Sequence, residues 1–125
     1  MITLTHVRGT IAPTGNFKAG ILPKLTNALK VSKLADFTKE PISEKGQISF
    51  DHSYKLGPDM SELVLNIQKF LNSSEAKKLN LYGTLMVIME TNDDFPKLYK
   101  ITVEKGAVTY KEGSLAWKNA SSGKP

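Results

Sequence analysis

Apolar and polar residues alternate along this chain in short blocks, and the period of each block predicts its element. The organising stretch is 79–110, LNLYGTLMVIMETNDDFPKLYKITVEKGAVTY. It holds the longest apolar run, Leu85 to Met89, and the clearest turn signals, Thr91-Asn92-Asp93-Asp94 and Lys105-Gly106. Asn and Asp favour turns by bonding their own backbone, and glycine supplies the positive φ of a tight hairpin. The stretch therefore predicts three consecutive antiparallel strands: 79–90, 95–104 and one through Val108 and Tyr110. In the first, Leu85, Val87 and Met89 share one face while Met86 and Ile88 share the other. A strand apolar on both faces is covered on both. If the helices pack on one side only, the second face needs a partner subunit or a sheet curved onto itself. That is the ground for expecting a homo-oligomer, most simply a symmetric dimer.

Upstream, residues 2–11 read as a strand, with Ile2, Leu4 and His6 on one face and Thr3, Thr5 and Val7 on the other. Residues 12–20 contain Pro13, Gly15, Asn16 and Gly20 and read as a connection. They lack the GxxxxGK[ST] phosphate-loop pattern, and Lys18 stands between Phe17 and Ala19 rather than at a helix start. A helix is predicted over 22–35, with Pro23 in its first turn, Leu22, Leu25 and Leu29 at helical spacing, and Lys24, Lys30 and Lys33 left to solvent. A polar linker, 36–45, leads to a strand over 46–56, where Ile48, Phe50, His52, Tyr54 and Leu56 share a face. Gly57-Pro58 ends it. A second helix follows over 59–72, opened by the capping-box pair Asp59 and Glu62. Its stripe is Met60, Leu63, Val64, Ile67, Phe70 and Leu71. Residues 73–78 read as a turn, and Leu115 to Trp117 as one more short strand. The expected fold is a single α+β domain over 1–118, a mainly antiparallel sheet with two helices in the order β-α-β-α-β-β-β. A flexible polar tail is expected over 119–125.

Charge adds one functional direction. Seventeen basic residues against 12 acidic give a net charge of +5, and Arg8 is the only arginine. Lysine is a hydrated point charge, whereas arginine forms the fork that reads bases, so any nucleic-acid binding should be backbone-dominated and weakly specific. The absence of cysteine excludes disulfides, thiolate metal sites and a cysteine nucleophile. No apolar run approaches the ~20 residues of a membrane span. The N-terminal MITLTHVRGT has no secretion-signal pattern, so a cytoplasmic location, or a host's cytoplasm, is expected and no membrane partner.

Candidate chemistry is sparse. His6 and His52 fall on the apolar sides of their strands, which predicts core histidines satisfied by hydrogen bonds; as a metal pair they lack a third ligand. Ser53 beside His52 is no triad, because adjacent strand residues point to opposite faces. Glu90, Asp93 and Asp94 read as a polar turn. No GxSxG, HExxH or phosphate-loop pattern occurs. Neither an enzyme nor a cofactor is expected.

The run LMVIMETNDDFPKLYKITVEKGAVTYKEGSL resembles the hairpin region of filamentous-phage single-stranded-DNA-binding proteins. The shared features are an apolar strand, an acidic turn, an aromatic-Pro pair, a Leu-x-Lys-Ile-Thr strand, an acidic-x-Gly turn and a tyrosine. They cover about a quarter of the chain. The family's chains are shorter and all-β, so the resemblance does not extend to the two helices. It implies that Phe95 and Lys100 face DNA and that Tyr110 is a structural or interface tyrosine. A phage or mobile-element origin goes with it. The expectation is a small non-enzymatic protein binding single-stranded nucleic acid, with Phe95, Lys97, Lys100 and Lys111 as its site. The alternative is a structural or assembly protein whose basic charge is incidental.

Overall fold

In a computed structural model of the protein, the residues described are 2–14, 18–38, 42, 45–55, 59–91 and 96–113. The order is β1 (Ile2–Pro13), α1 (Leu22–Val31), β2 (Ile48–Lys55), α2 (Met60–Leu71), α3 (Ser74–Leu79), β3 (Leu81–Thr91), β4 (Lys97–Glu104) and β5 (Ala107–Gly113). Short 3₁₀ turns at Ala19–Ile21 and Ala35–Phe37 flank α1. The five strands form one antiparallel sheet in the order β2-β1-β3-β4-β5. This is the α+β single domain expected. The short strand at 115–117 and the tail at 119–125 lie outside the described residues.

The helical layer covers one face of the sheet. Val7 and Ile11 of β1, Ile48 and Phe50 of β2, Leu85 and Val87 of β3, and Ile101 and Val103 of β4 are buried there. Against them pack Leu25 and Leu29 of α1 and Leu63, Ile67 and Phe70 of α2, in one continuous core. The stripe read from the sequence of α2 is the buried face, and Asp59 caps that helix by accepting the Glu62 N–H at 2.9 Å. Gln68, on the flank of α2, fastens the β4–β5 hairpin. Its side-chain amide donates to the Gly106 carbonyl at 3.0 Å, and its carbonyl oxygen accepts the Val108 N–H at 3.3 Å. The hairpin turn has positive φ at both Lys105 (52°) and Gly106 (75°), the mirror-image turn that matches strand twist.

Four expectations change. Residues 74–79 form a helix rather than a turn, because Ser73 caps it by accepting the Ala76 N–H, and Asn80 ends it in the left-handed region. Helix α1 stops at Val31 instead of reaching 35. Lys33 takes φ 61°, and the Leu34 N–H returns to the Leu29 carbonyl at 2.9 Å, a Schellman closure. Burying Leu34 beside Leu29 offsets the cost of a non-glycine residue in that conformation. His6 is not a core residue: among the described side chains of β1 the buried ones are Thr5, Val7 and Ile11. The pairing of β1 with β3 shifts between Ile2 and Leu4, so the parity of Ile2 does not carry along the strand. His52 has the helix-side parity, opposite Val7, but is exposed. Among the described residues the helices cover one face of β3; on the other, Met86 is half-buried and Ile88 is 38% exposed.

Where β1 pairs with β3 two glycines allow close approach. A Cβ added at Gly83 would strike the Thr10 carbonyl oxygen, and one at Gly9 (φ +146°) the Thr84 carbonyl oxygen.

Candidate nucleic-acid interface

The uncovered face of the sheet carries the polar chemistry, and the strand register arranges it in transverse rows. Directly opposed residues of antiparallel strands share a face, so each row follows from the pairing. One row runs Asp51, Arg8, Met86, Lys100, Lys111 across β2, β1, β3, β4 and β5. Beside it runs a row of hydroxyls, Ser49, Thr10, Thr84, Thr102 and Thr109. On the other side lie Ser53, His6, Ile88, Leu98 and Gly113. Tyr82, opposite Ala12 and half exposed, adds an aromatic beyond the hydroxyl row.

Lys100 and Lys111 are cross-strand partners, both exposed. Like charges directly opposed on a sheet are destabilising. Arg8 extends the same row, and among the described residues none of these three cations enters a salt bridge. Acidic groups on this face stand at its margins: Asp51 on edge strand β2, Glu90 near the end of β3 and Glu104 at the end of β4.

The four residues chosen from the sequence are only partly brought together. Lys100 and Lys111 meet on the open face. Lys97 lies three residues from Lys100, an odd separation on a strand, and therefore on the helix-side parity, opposite Met89. It is exposed at the start of β4. Phe95 lies outside the described residues. Tyr110, opposite Ile101, is also on the helix side, where its ring meets Tyr99 edge to face with centroids 6.1 Å apart. Desolvation raises the Tyr99 phenol above its usual value and the carboxylate of Glu112 adds to this, while Lys97 opposes it.

Arg8, Tyr82 and the hydroxyl row were not singled out from the sequence. Their isolated positions carry no local pattern; only the register of five strands assembles them. The same register builds a cross-strand cluster around His6. Its Nδ1 is 2.6 Å from Ser53 Oγ, and its Nε2 is 3.3 Å from Asp51 Oδ1. Ser53 and Asp51 lie two apart on β2, hence on one face. The three side chains sit on an exposed sheet surface, with His6 29% and Asp51 42% accessible, and serve as a polar clasp between β1 and the edge strand.

Among the described residues no group of three or more His, Cys, Asp or Glu side chains has the geometry of a metal site, and no helix is long and apolar enough to cross a membrane. Comparison with family models, with curated proteins and with solved structures finds no match to the chain.

Proposed function

We propose that this protein binds single-stranded nucleic acid on the open face of its sheet, without enzymatic activity and with weak sequence preference. The observation that supports this most is the pair of lysines, Lys100 and Lys111, directly opposed on an uncovered face. Such a pair destabilises the free protein and is relieved by an anion. Arg8 in the same row gives the strand a basic track across the sheet, and phosphates bind such a track with little regard to base. The adjoining hydroxyls donate hydrogen bonds to phosphate and sugar. Tyr82 offers a face on which a base can stack, worth about 1–3 kcal/mol in comparable sites. Lys97 contributes from the margin of the sheet, and Phe95 is the proposed aromatic partner. In this reading the lysine-rich, arginine-poor composition matches a binder of backbone rather than sequence. The resemblance of 85–115 to phage single-stranded-DNA-binding proteins points the same way, and with it a phage or mobile-element origin and a place in the host cytoplasm.

The test is fluorescence anisotropy with labelled single-stranded oligonucleotides, comparing wild type with Lys100→Glu combined with Lys111→Glu. Binding should be lost in the double variant while its melting temperature stays near that of wild type, since one like-charged cross-strand pair replaces another and only the sign changes. Unchanged affinity in a folded variant refutes the site.

A second reading rests on a different observation. Met86, inside the basic row, and Ile88 and Leu98 in the row beside it form an apolar strip. A homo-oligomer joining these faces would make the chain an assembly protein. In a face-to-face two-fold dimer, however, the basic rows of both copies share one interface, which adds repulsion and favours the nucleic-acid reading.

A further inference from the structure

A cavity of about 390 Å³ lies away from the open face, between the chain entering α1 and the end of α3. Its lining is Lys18, Gly20, Ile21, Lys24, Lys78 and Leu79. We infer that this cavity binds a phosphorylated small molecule of mononucleotide size, its phosphate held by the three lysines and its organic body resting on Ile21 and Leu79.

Two segments distant in sequence, residues 18–24 and the last turn of α3, line the same space with three lysines. Lys18 comes from the chain before α1, Lys24 from the first turn of α1, and Lys78 from the last turn of α3. No carboxylate is among the described lining residues, and no salt bridge among the described residues involves any of the three. Like charges converging on one concavity repel each other unless a counter-anion sits between them, and a concave site concentrates that field. Lys24 is a notable choice on its own, because a cation in the first turn of a helix is disfavoured by the helix dipole, and α1 has no acidic residue there to balance it. Size then selects within anions. The volume falls in the range of small-molecule sites, about 300–1,000 Å³, and exceeds what a bare phosphate fills. The remaining wall, Ile21 and Leu79, is apolar and suits a base or similar planar body. No phosphate-loop pattern surrounds Lys18, because these lysines come from α1, α3 and the chain before α1 rather than from one glycine-rich turn.

This inference does not rest on nucleic-acid binding, and the two fail separately. The experiment follows backbone amide shifts by NMR while AMP, and in a second series inorganic phosphate, is titrated into the full chain at physiological salt. Saturable shifts confined to Gly20, Ile21, Lys24 and Leu79 are expected, with AMP binding severalfold tighter than phosphate. Lys24→Gln combined with Lys78→Gln should abolish them, and Lys18→Gln alone, on the chain before the helix, should weaken binding by roughly threefold to tenfold. Lys100→Glu combined with Lys111→Glu should leave AMP binding unchanged. Three results would overturn the inference: shifts that do not saturate or that spread equally to Lys100 and Lys111, affinity unaltered by loss of the lining lysines, or phosphate binding as tightly as AMP. If the double variant melts early, Lys18→Gln decides the matter.

Discussion

Truncating Ile67 to alanine tests whether α2 is welded to the sheet as described. Ile67 is fully buried at mid-helix, while Leu65, on the same helix, is 55% exposed. The substitution removes three buried carbons, a transfer loss of about 2.4 kcal/mol at ~0.8 per methylene. A cavity of about 75 Å³, left uncollapsed, would add ~1.8 kcal/mol at 24 cal per Å³. The expected loss lies between those limits, about 2.4–4 kcal/mol, depending on how far Leu63, Phe70 and the facing strand residues relax into the space. For a domain of this size that is a drop of roughly 7–16 °C in melting temperature. Thermal and urea unfolding followed by circular dichroism provide the measurement, with an unchanged urea slope showing that the unfolded state is not altered. Leu65→Ala is the control and should cost less than about 0.5 kcal/mol. A melt of Ile67→Ala within a degree or two of wild type, or equal losses for the two variants, would refute the packing of α2.

Other outcomes follow from particular contacts. Gly83→Ala should destabilise by about 1–3 kcal/mol in chemical denaturation, because its Cβ meets a backbone oxygen that cannot rotate away. Gly106→Ala has open space around it and should cost only about 1 kcal/mol, the penalty of φ 75°; a reversed order would show that strand approach at Gly83 is not tight. Tyr99 keeps its proton to higher pH when folded than when unfolded, so its contribution is complete below the ordinary phenol value near 10 and is lost as pH rises through the folded value. Ultraviolet titration should show one tyrosine ionising late, and Glu112→Gln should bring it earlier; no change would remove Glu112 as a cause. Light scattering at high concentration tests the apolar strip: a dimer dispersed by Ile88→Lys supports self-association through the open face, and monomer mass removes it.

The fold was legible where burial is strong and one-sided. Leu85, Val87 and Met89 announce β3, and the Met60 to Leu71 stripe fixes both the length and the inward face of α2, because apolar periodicity reports burial directly. Strand β1 was harder. Its two parities carry similar polarity, Leu4 against Val7, and an irregular pairing near its start decouples Ile2 from the rest. Alternation alone therefore put His6 inside. Helix α3 offered only six residues and no long stripe, so its cap at Ser73 was its one local sign. The site was legible in kind but not in membership. Lys100 and Lys111 are linked by a tight hairpin whose turn was readable, which fixes their pairing. Arg8 joins them only through the β1–β3 register, a contact between residues far apart in sequence. The separation of Lys97 from Lys100 was a matter of parity and was available from the sequence alone.

The most direct measurement of the central claim is the salt dependence of affinity for a single-stranded oligonucleotide, with a duplex of the same sequence alongside. If Arg8, Lys100 and Lys111 each neutralise one phosphate, the logarithm of the binding constant should fall against that of salt concentration with a slope of about −2, at ~0.7 per phosphate. The duplex should bind more weakly, since its bases cannot reach Tyr82. Lys100→Glu combined with Lys111→Glu should flatten the slope of any residual binding. No binding of wild type at low salt, or a slope untouched by that double substitution, would contradict the account and leave self-assembly as the reading of the open face.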